Sequence, residues 1–174
     1  MSPNFLICCG KTVCLMNEAL SADEAVTRFG LYVGTTCGDS MEPMIRQGRD
    51  RVCIGRCSGR LRLYDVPLYR RSSGQLVLHR IVKVLPEEYV TCGDNRRKRE
   101  RGVTDAMIIG ILTGFYREGI FIDCRRSWKY RCYVFFWWRF YWLRLPFLLG
   151  RDWLHRRKRY RKSGRSDFKP GLFF

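Results

Sequence analysis

The sequence predicts a mainly β fold: a small coiled or barrel-like antiparallel β domain with a short N-terminal helix and a C-terminal aromatic and basic helical tail. After residue 30, short runs rich in Val, Ile, Leu and Tyr alternate with Gly, Pro and polar turns, which is typical of antiparallel strands. Several such strands within about 90 residues favour a closed or coiled sheet. The predicted strands are Leu31–Thr36, Arg51–Ile54, Val66–Tyr69, Gln75–Val84, Tyr89–Cys92 and Met107–Tyr116.

The N-terminal helix is predicted over residues 17–29. Asn17 or Ser21 is expected to cap it, acidic residues lie early in it, and Gly30 is expected to end it. The chain then divides into an N-terminal helical segment (1–29), a β domain (30–124) and a tail (125–174).

Charge is concentrated in the tail. The chain has 33 Lys and Arg against 16 Asp and Glu, a net charge of +17. Residues 1–124 hold 18 basic and 14 acidic side chains, whereas residues 125–174 hold 15 basic and 2 acidic ones. A nearly balanced body with a basic tail predicts an anionic partner, either a membrane surface or nucleic acid.

Residues 132–149 form an aromatic stretch that contains five Trp or Tyr residues and is interrupted by Arg139, Arg144 and Pro146. An Arg near the centre of a membrane span costs about 2.5–3.5 kcal/mol, and Trp and Tyr prefer the membrane interface. The favoured interpretation is therefore a helix lying in the headgroup plane. A single span and a helix packed on its own domain are the alternatives.

Nine cysteines, an odd number at irregular spacing, do not suggest a disulfide framework or a zinc site, so we expect reduced thiols and no metal or cofactor. The first thirty residues lack the long apolar run of a signal peptide. These features predict a cytoplasmic protein.

Three short motifs follow one another in the β domain. The first is Gly38-Asp39-Ser40-Met41-Glu42-Pro43-Met44, followed by Gly48-Arg49-Asp50. The second is Leu78-His79-Arg80-Ile81, and the third is Gly93-Asp94-Asn95, with Glu100 six residues beyond Asp94.

In this order, the motifs resemble those of the signal peptidase I family, within the wider clan of serine peptidases that includes LexA-like self-cleaving repressors. The resemblance covers roughly residues 30–115. It implies that Ser40 is the nucleophile and, because His79-Arg80-Ile81 is similar to the run in the archaeal and endoplasmic-reticulum branch, that His79 is the general base. The family's membrane anchor precedes the nucleophile, and residues 1–39 contain no such segment.

The chemistry of the residues agrees with these roles. A serine hydroxyl is a poor nucleophile at neutral pH and needs a base within hydrogen-bond reach. His79 suits this role because an imidazole titrates near neutral pH, and the only other histidine, His155, lies in the basic tail. An apparent pKa between about 6 and 8 is expected for this base. The oxyanion is expected to be held by backbone N–H groups around Ser40.

A carboxylate next to the base can orient it. The resemblance implies an acid at the position of Glu100, where the family has the shorter Asp; Asp94 is the alternative, as an orienting acid, a turn residue or both. We expect the residues that flank the catalytic pair to contact the substrate: Gly38, Asp39, Met41, Pro43 and Leu78.

The sequence therefore predicts a serine endopeptidase that removes a leader or signal-like segment from a precursor peptide or protein, at the inner membrane face. One alternative is a LexA-like regulator associated with nucleic acid, which is disfavoured because no helix-turn-helix is evident and those repressors use Lys as the base. The other is a catalytically silent binding module on an anionic membrane surface.

Overall fold

The computed structural model describes residues 13–15 and 18–140, together with positions 146 and 150. The chain divides into two compact units, Met1–Val134 and Phe135–Phe174. The predicted fold class is confirmed: the protein is mainly β, with a curled antiparallel half-barrel sheet, a short N-terminal helix and a C-terminal helix.

The helices and strands follow one another in a simple order. A hairpin of β1 (Val13–Leu15) and β2 (Glu18–Leu20) comes first, followed by helix α1 (Ala22–Phe29). Helix α2 (Trp128–Arg139) is the last described element. The strands between the two helices are β3 (Leu31–Thr35), β4 (Arg51–Gly55), β5 (Pro67–Arg70), β6 (Leu76–Leu78), β7 (Arg80–Val84), β8 (Tyr89–Cys92), β9 (Glu100–Val103), β10 (Ile108–Arg117) and β11 (Ile120–Asp123).

Helix α1 is shorter than predicted because its cap is Ser21. The Ser21 hydroxyl accepts a hydrogen bond from the N–H of Glu24, and the Glu24 carboxylate accepts one from the N–H of Ser21. This reciprocal arrangement satisfies two N–H groups that the first turn leaves open. Residues 18–20, which were predicted to be helical, pair as strand β2 instead. Gly30 ends the helix in the left-handed region, at φ 73°.

Besides the β1–β2 hairpin, the first unit has two antiparallel sheets. The larger sheet has the order β3-β4-β10-β5-β6, and the long strand β10 pairs with β5 through its first half and with β11 through its second. The smaller sheet has the order β7-β8-β9. Strands β9 and β11 were not predicted from the sequence, since neither range shows a clear alternation of apolar and polar residues.

The chain passes from the larger to the smaller sheet at His79. The predicted strand Gln75–Val84 is therefore two strands, β6 and β7, in different sheets. The N–H of Ile81 donates to the carbonyl of Asp65, 2.8 Å away, and the carbonyl of Ile81 accepts from Tyr64. These bonds tie the start of β7 to the loop before β5, so that His79 lies at the corner between the sheets.

The core has two hydrophobic clusters. The first lies between α1, the larger sheet and the segment after Ser40, which contributes Met41, Met44 and Ile45. The second joins the two sheets; its buried residues are Leu61, Tyr69, Val77, Ile81, Tyr89, Val103 and Ile111. Both sides of the corner at His79 are therefore held by buried apolar surface, which favours a fixed geometry there.

The first half of α2 belongs to the core of the first unit. Val134 is buried, and Tyr130 and Tyr133 pack against the first cluster. The predicted aromatic segment 132–149 lies within the described residues only up to residue 140 and at position 146. Among the described residues, no helix has both the length and the apolarity needed to cross a bilayer.

Candidate active site

Ser40 lies in a compact turn after β3. The N–H of Glu42 donates to the carbonyl of Asp39, and the N–H of Ile45 donates to the carbonyl of Met41, 2.9 Å away. Gly38, at φ 102°, enters the turn with a backbone conformation that a residue with a Cβ rarely adopts. The turn leaves Ser40 half-buried.

A buried carboxylate holds the end of this segment. Asp50 is fully buried and accepts hydrogen bonds from the backbone N–H and the guanidinium of Arg46 and from the guanidinium of Arg117, 2.9 Å away. Arg117 on β10 also donates to the carbonyl of Met44. These charge-assisted bonds join the segment after Ser40 to the central strand of the larger sheet.

The turn between β8 and β9 packs directly on the Ser40 turn. The N–H of Asn95 donates to the carbonyl of Ser40 at 2.8 Å, and the side-chain amide of Asn95 donates to the carbonyl of Asp39. Arg96 forms an ion pair with the Asp39 carboxylate. The third motif thus fixes the backbone on both sides of the Asp39–Ser40 peptide bond.

Gly93 is the point where the Ser40 turn and His79 converge. A Cβ at this position would lie 2.5 Å from the carbonyl oxygen of Ser40 and 3.2 Å from Nε2 of His79. The first distance is shorter than real Cβ contacts, so only glycine fits without displacement. The Nε2 face of the imidazole is therefore directed towards the Ser40 turn. No hydrogen bond joins the two side chains within the described residues.

The opposite edge of the imidazole faces a polar cluster. Nδ1 of His79 lies 3.5 Å from the hydroxyl of Tyr69 on β5 and 3.8 Å from a carboxylate oxygen of Glu100 on β9. Burial lowers the pKa of His79 to about 4, with Glu100 acting in the opposite direction and Arg71 and Arg96 adding to the decrease. The imidazole is uncharged at neutral pH, as a general base must be. This pKa lies below the 6–8 expected from sequence.

Glu100 is bound more tightly to its other neighbours than to His79. Its two oxygens accept hydrogen bonds from Nε and Nη2 of Arg71, and one of them also accepts from the Tyr69 hydroxyl at 2.9 Å. The hydrogen bonds from Arg71 hold the pKa of Glu100 below its usual value, so that this carboxylate is charged. Thr91 hydrogen-bonds to the Tyr69 hydroxyl and completes the cluster.

Asp94, the alternative acid, lies elsewhere. It is fully buried and forms a two-point ion pair with Arg80, at 2.9 and 2.8 Å. The hydroxyl of Tyr133 on α2 donates a hydrogen bond to Asp94, and the hydroxyl of Tyr130 accepts one from Arg80. The Arg80 guanidinium also contacts the sulfur of Met44. Asp94 is thus part of the core beside the site, while Glu100 is the acid next to the imidazole.

The residues predicted to contact substrate lie at different depths. Met41 is buried in the core, where it anchors the Ser40 turn, and Pro43 is exposed. Gly38 and Asp39 are half-buried on the turn itself. Leu78, the last residue of β6, is partly buried against the first cluster, beside His79.

Four residues of the site were not singled out from the sequence: Tyr69, Thr91, Arg71 and Arg96. The first two look like ordinary strand residues, and the arginines lie in polar turns, so no local pattern marks them. Strand β5 pairs with β6, which ends beside His79, and β9 pairs with β8 in the other sheet, so the site draws residues from both sheets.

Within the described residues, no group of three or more His, Cys, Asp or Glu side chains could hold a metal ion. The chemistry available at this site is that of a hydroxyl, an uncharged imidazole and a charged carboxylate. Comparison of the chain with family models, with curated proteins and with solved structures gives no match.

Proposed function

We propose that the protein is a serine endopeptidase in which Ser40 is the nucleophile and His79 the general base. The observation that carries the proposal is the convergence at Gly93, where the carbonyl oxygen of Ser40 and Nε2 of His79 both approach the position that a Cβ on this residue would occupy. Nucleophilic catalysis by serine requires an uncharged base close to the residue that carries the hydroxyl, and this convergence brings the Ser40 turn and the imidazole together. The resemblance of the three motifs to signal peptidase I supports the same assignment.

The position of Glu100 supports a third member of the catalytic group. It is the charged carboxylate nearest Nδ1 of His79 among the described residues, and it stabilises the imidazolium that forms when Ser40 gives up its proton. Asp94 is committed to Arg80 and serves to hold the turn that carries Gly93.

The substrate we propose is an extended leader or signal-like segment of a precursor peptide or protein. This assignment rests on the resemblance, whose family prefers small residues before the cut. A half-buried nucleophile in a surface turn can be reached by a peptide chain.

We also propose an anionic membrane surface as the place of action. In the second unit the described residues present two exposed rings, Phe135 and Phe136, which are packed edge to face, and the exposed Arg139 follows them. Exposed aromatic rings beside cations are typical of helices that bind at the interface of anionic bilayers.

The test is covalent labelling by a fluorophosphonate probe, followed by mapping of the labelled residue. Wild type should be labelled at Ser40, and Ser40→Ala and His79→Ala should not. Ser73→Ala, in the exposed turn between β5 and β6, is the matched control and should be labelled like wild type. Cleavage of a peptide library should fall about 10⁴–10⁶-fold in Ser40→Ala. Labelling of Ser40→Ala at the wild-type rate would exclude the proposal.

A further inference from the structure

The Glu100 carboxylate has an unusual set of partners for an acid that orients a histidine. Both of its oxygens accept hydrogen bonds from Arg71, at 2.6 Å for Nε, and Oε2 also accepts from Tyr69. The distance from Oε2 to Nδ1 of His79, 3.8 Å, is too long for a hydrogen bond. The acid is close enough to act on the imidazole through its charge but does not bind it.

Arg71 is itself held in place. Its Nη1 donates to the side-chain carbonyl of Gln75 at 2.7 Å, and its backbone N–H and carbonyl pair with Gln75 and Gly74 across the turn between β5 and β6. A guanidinium fixed by its own turn presents two parallel donors, the geometry that matches a carboxylate. Glu100 therefore meets a preformed partner that competes with His79.

We propose that Arg71 is a positioning residue that withholds the Glu100 carboxylate from His79 and so keeps the imidazole available as an uncharged base under acidic as well as neutral conditions. This inference rests on the proposed function of His79. It assigns to Tyr69 the direct contact with Nδ1: the Tyr69 hydroxyl donates to Glu100, so its oxygen is left to accept from Thr91 and from Nδ1–H. With the proton on Nδ1, the free lone pair is on Nε2, the nitrogen on the side of the Ser40 turn.

None of the other polar groups described around the imidazole holds the Glu100 carboxylate by two hydrogen bonds as Arg71 does. Thr91 on β8 carries no charge, Asp94 is paired with Arg80 inside the core, and Arg96 is paired with Asp39 on the Ser40 turn. Desolvation lowers the pKa of His79, and Glu100 is the largest influence in the opposite direction. A residue that fixes the position of Glu100 therefore affects the proton affinity of His79.

The decisive experiment is Arg71→Lys, because it preserves charge. Lysine is a point charge without the two-pronged geometry, so it cannot hold both oxygens of Glu100. If Arg71 acts only through its charge, the substitution leaves the pKa of His79 unchanged. If it withholds the carboxylate, Glu100 turns towards Nδ1 and the pKa of His79 rises by about one unit, a tenfold gain in proton affinity. Arg71→Gln, which also removes the charge, should raise it further.

The measurement is an NMR titration of the imidazole protons in the full-length protein. The chain has only two histidines, so in a His155→Gln background every imidazole signal belongs to His79. Arg70→Lys is the matched control, because the neighbouring Arg70 pairs with Asp23 instead. The acidic limb of the pH profile of kcat/KM should move upward with the pKa in Arg71→Lys and stay in place in Arg70→Lys.

An unchanged pKa of His79 in folded Arg71→Lys would overturn the proposal, whatever the activity. Should Arg71→Gln fail to fold, Arg71→Lys still decides. A raised pKa in a protein that cleaves no peptide would support the role of Arg71 and contradict the proposed function. The two ideas therefore fail separately.

Discussion

Removing one member of the buried ion pair between Arg80 and Asp94 should unfold the protein more readily without removing its chemistry. Both side chains are fully buried, and the two bonds between them measure 2.9 and 2.8 Å. Loss of one partner leaves the other as an unpaired buried charge, which costs about 3–5 kcal/mol. At about 2–4 °C per kcal/mol for a chain of this size, the Tm of Asp94→Asn should fall by about 6–20 °C.

Urea denaturation followed by tryptophan fluorescence measures this loss. The matched control is Glu88→Gln, which removes the acid of the ion pair with Arg101; Arg101 is 73% exposed. Glu88 is 26% exposed, and a pair whose other member is mostly in solvent contributes about 0–1 kcal/mol, so this variant should unfold nearly like wild type. Below its own Tm, Asp94→Asn should still cleave peptide, whereas Glu100→Gln should lose turnover and keep its Tm.

A double substitution separates the cost of a lone charge from the value of the pair. In Arg80→Met with Asp94→Leu both charges of this pair are gone, so the double variant should be more stable than either single variant. A loss below about 1 kcal/mol in Asp94→Asn, or a double variant less stable than both singles, would refute this reasoning.

Three further predictions concern the base, the glycine contact and the tail. The pKa of His79 is about 6.5 in the unfolded chain and about 4 in the folded protein, so the free energy of unfolding should fall by about 3 kcal/mol as the pH drops from 6.5 to 4. In urea denaturation between pH 4.5 and 6.5, His79→Asn should abolish this dependence of stability on pH. An unchanged dependence in His79→Asn would contradict the argument that burial lowers the pKa. Gly93→Ala should slow labelling of Ser40 by at least about tenfold, since its Cβ displaces the Ser40 carbonyl by steric overlap, and a wild-type rate would show that the contact is not needed. The full chain should sediment with anionic vesicles and much less with neutral ones, whereas a chain ending after Val134 should stay in the supernatant. Equal amounts of the full chain in the supernatant with and without anionic vesicles would exclude the membrane proposal.

That shortened chain must end after Val134 and not at Ser127, a choice that the sequence does not suggest. The aromatic run from residue 132 reads as one amphipathic segment, yet its first turn packs on the body of the protein. Tyr130 and Tyr133 cover the ion pair of Arg80 and Asp94. Cutting before them would expose a buried charge pair, so a chain ending at Ser127 would test stability more than membrane binding.

The sequence predicts the class of the fold well because strand-forming residues and turn residues alternate clearly between residues 31 and 116. It predicts the strand at residues 75–84 poorly, since an unbroken apolar run gives no sign that the chain changes sheets within it. Strand β9 escapes prediction for the opposite reason: two of its four residues, Glu100 and Arg101, are charged. Both errors concern which strands pair and where one strand ends, which local composition does not record.

The same distinction explains which parts of the site the motifs contain. The motifs include Ser40, His79 and Gly93, whose relation is fixed by backbone packing between turns. They omit Tyr69, which contacts the imidazole from β5, and Arg71, which follows β5 and binds Glu100. Residues that hold a site from a neighbouring strand need only the right side chain at one register position, so they leave no pattern in the sequence.

Within the motifs, the side chains of neighbouring residues point to opposite sides of the chain. Successive side chains of an extended segment point in opposite directions, so a corner that directs His79 into the site directs Arg80 into the core. The turn at Gly93 divides in the same way: Gly93 admits the Ser40 turn and the imidazole, while Asp94 points inward to Arg80. The buried ion pair thus joins the segment that carries His79 to the turn that contacts Ser40. The two acids therefore differ in role because of the side of the chain they face, and Asp94, although it lies within the motif, is the one that holds the site together.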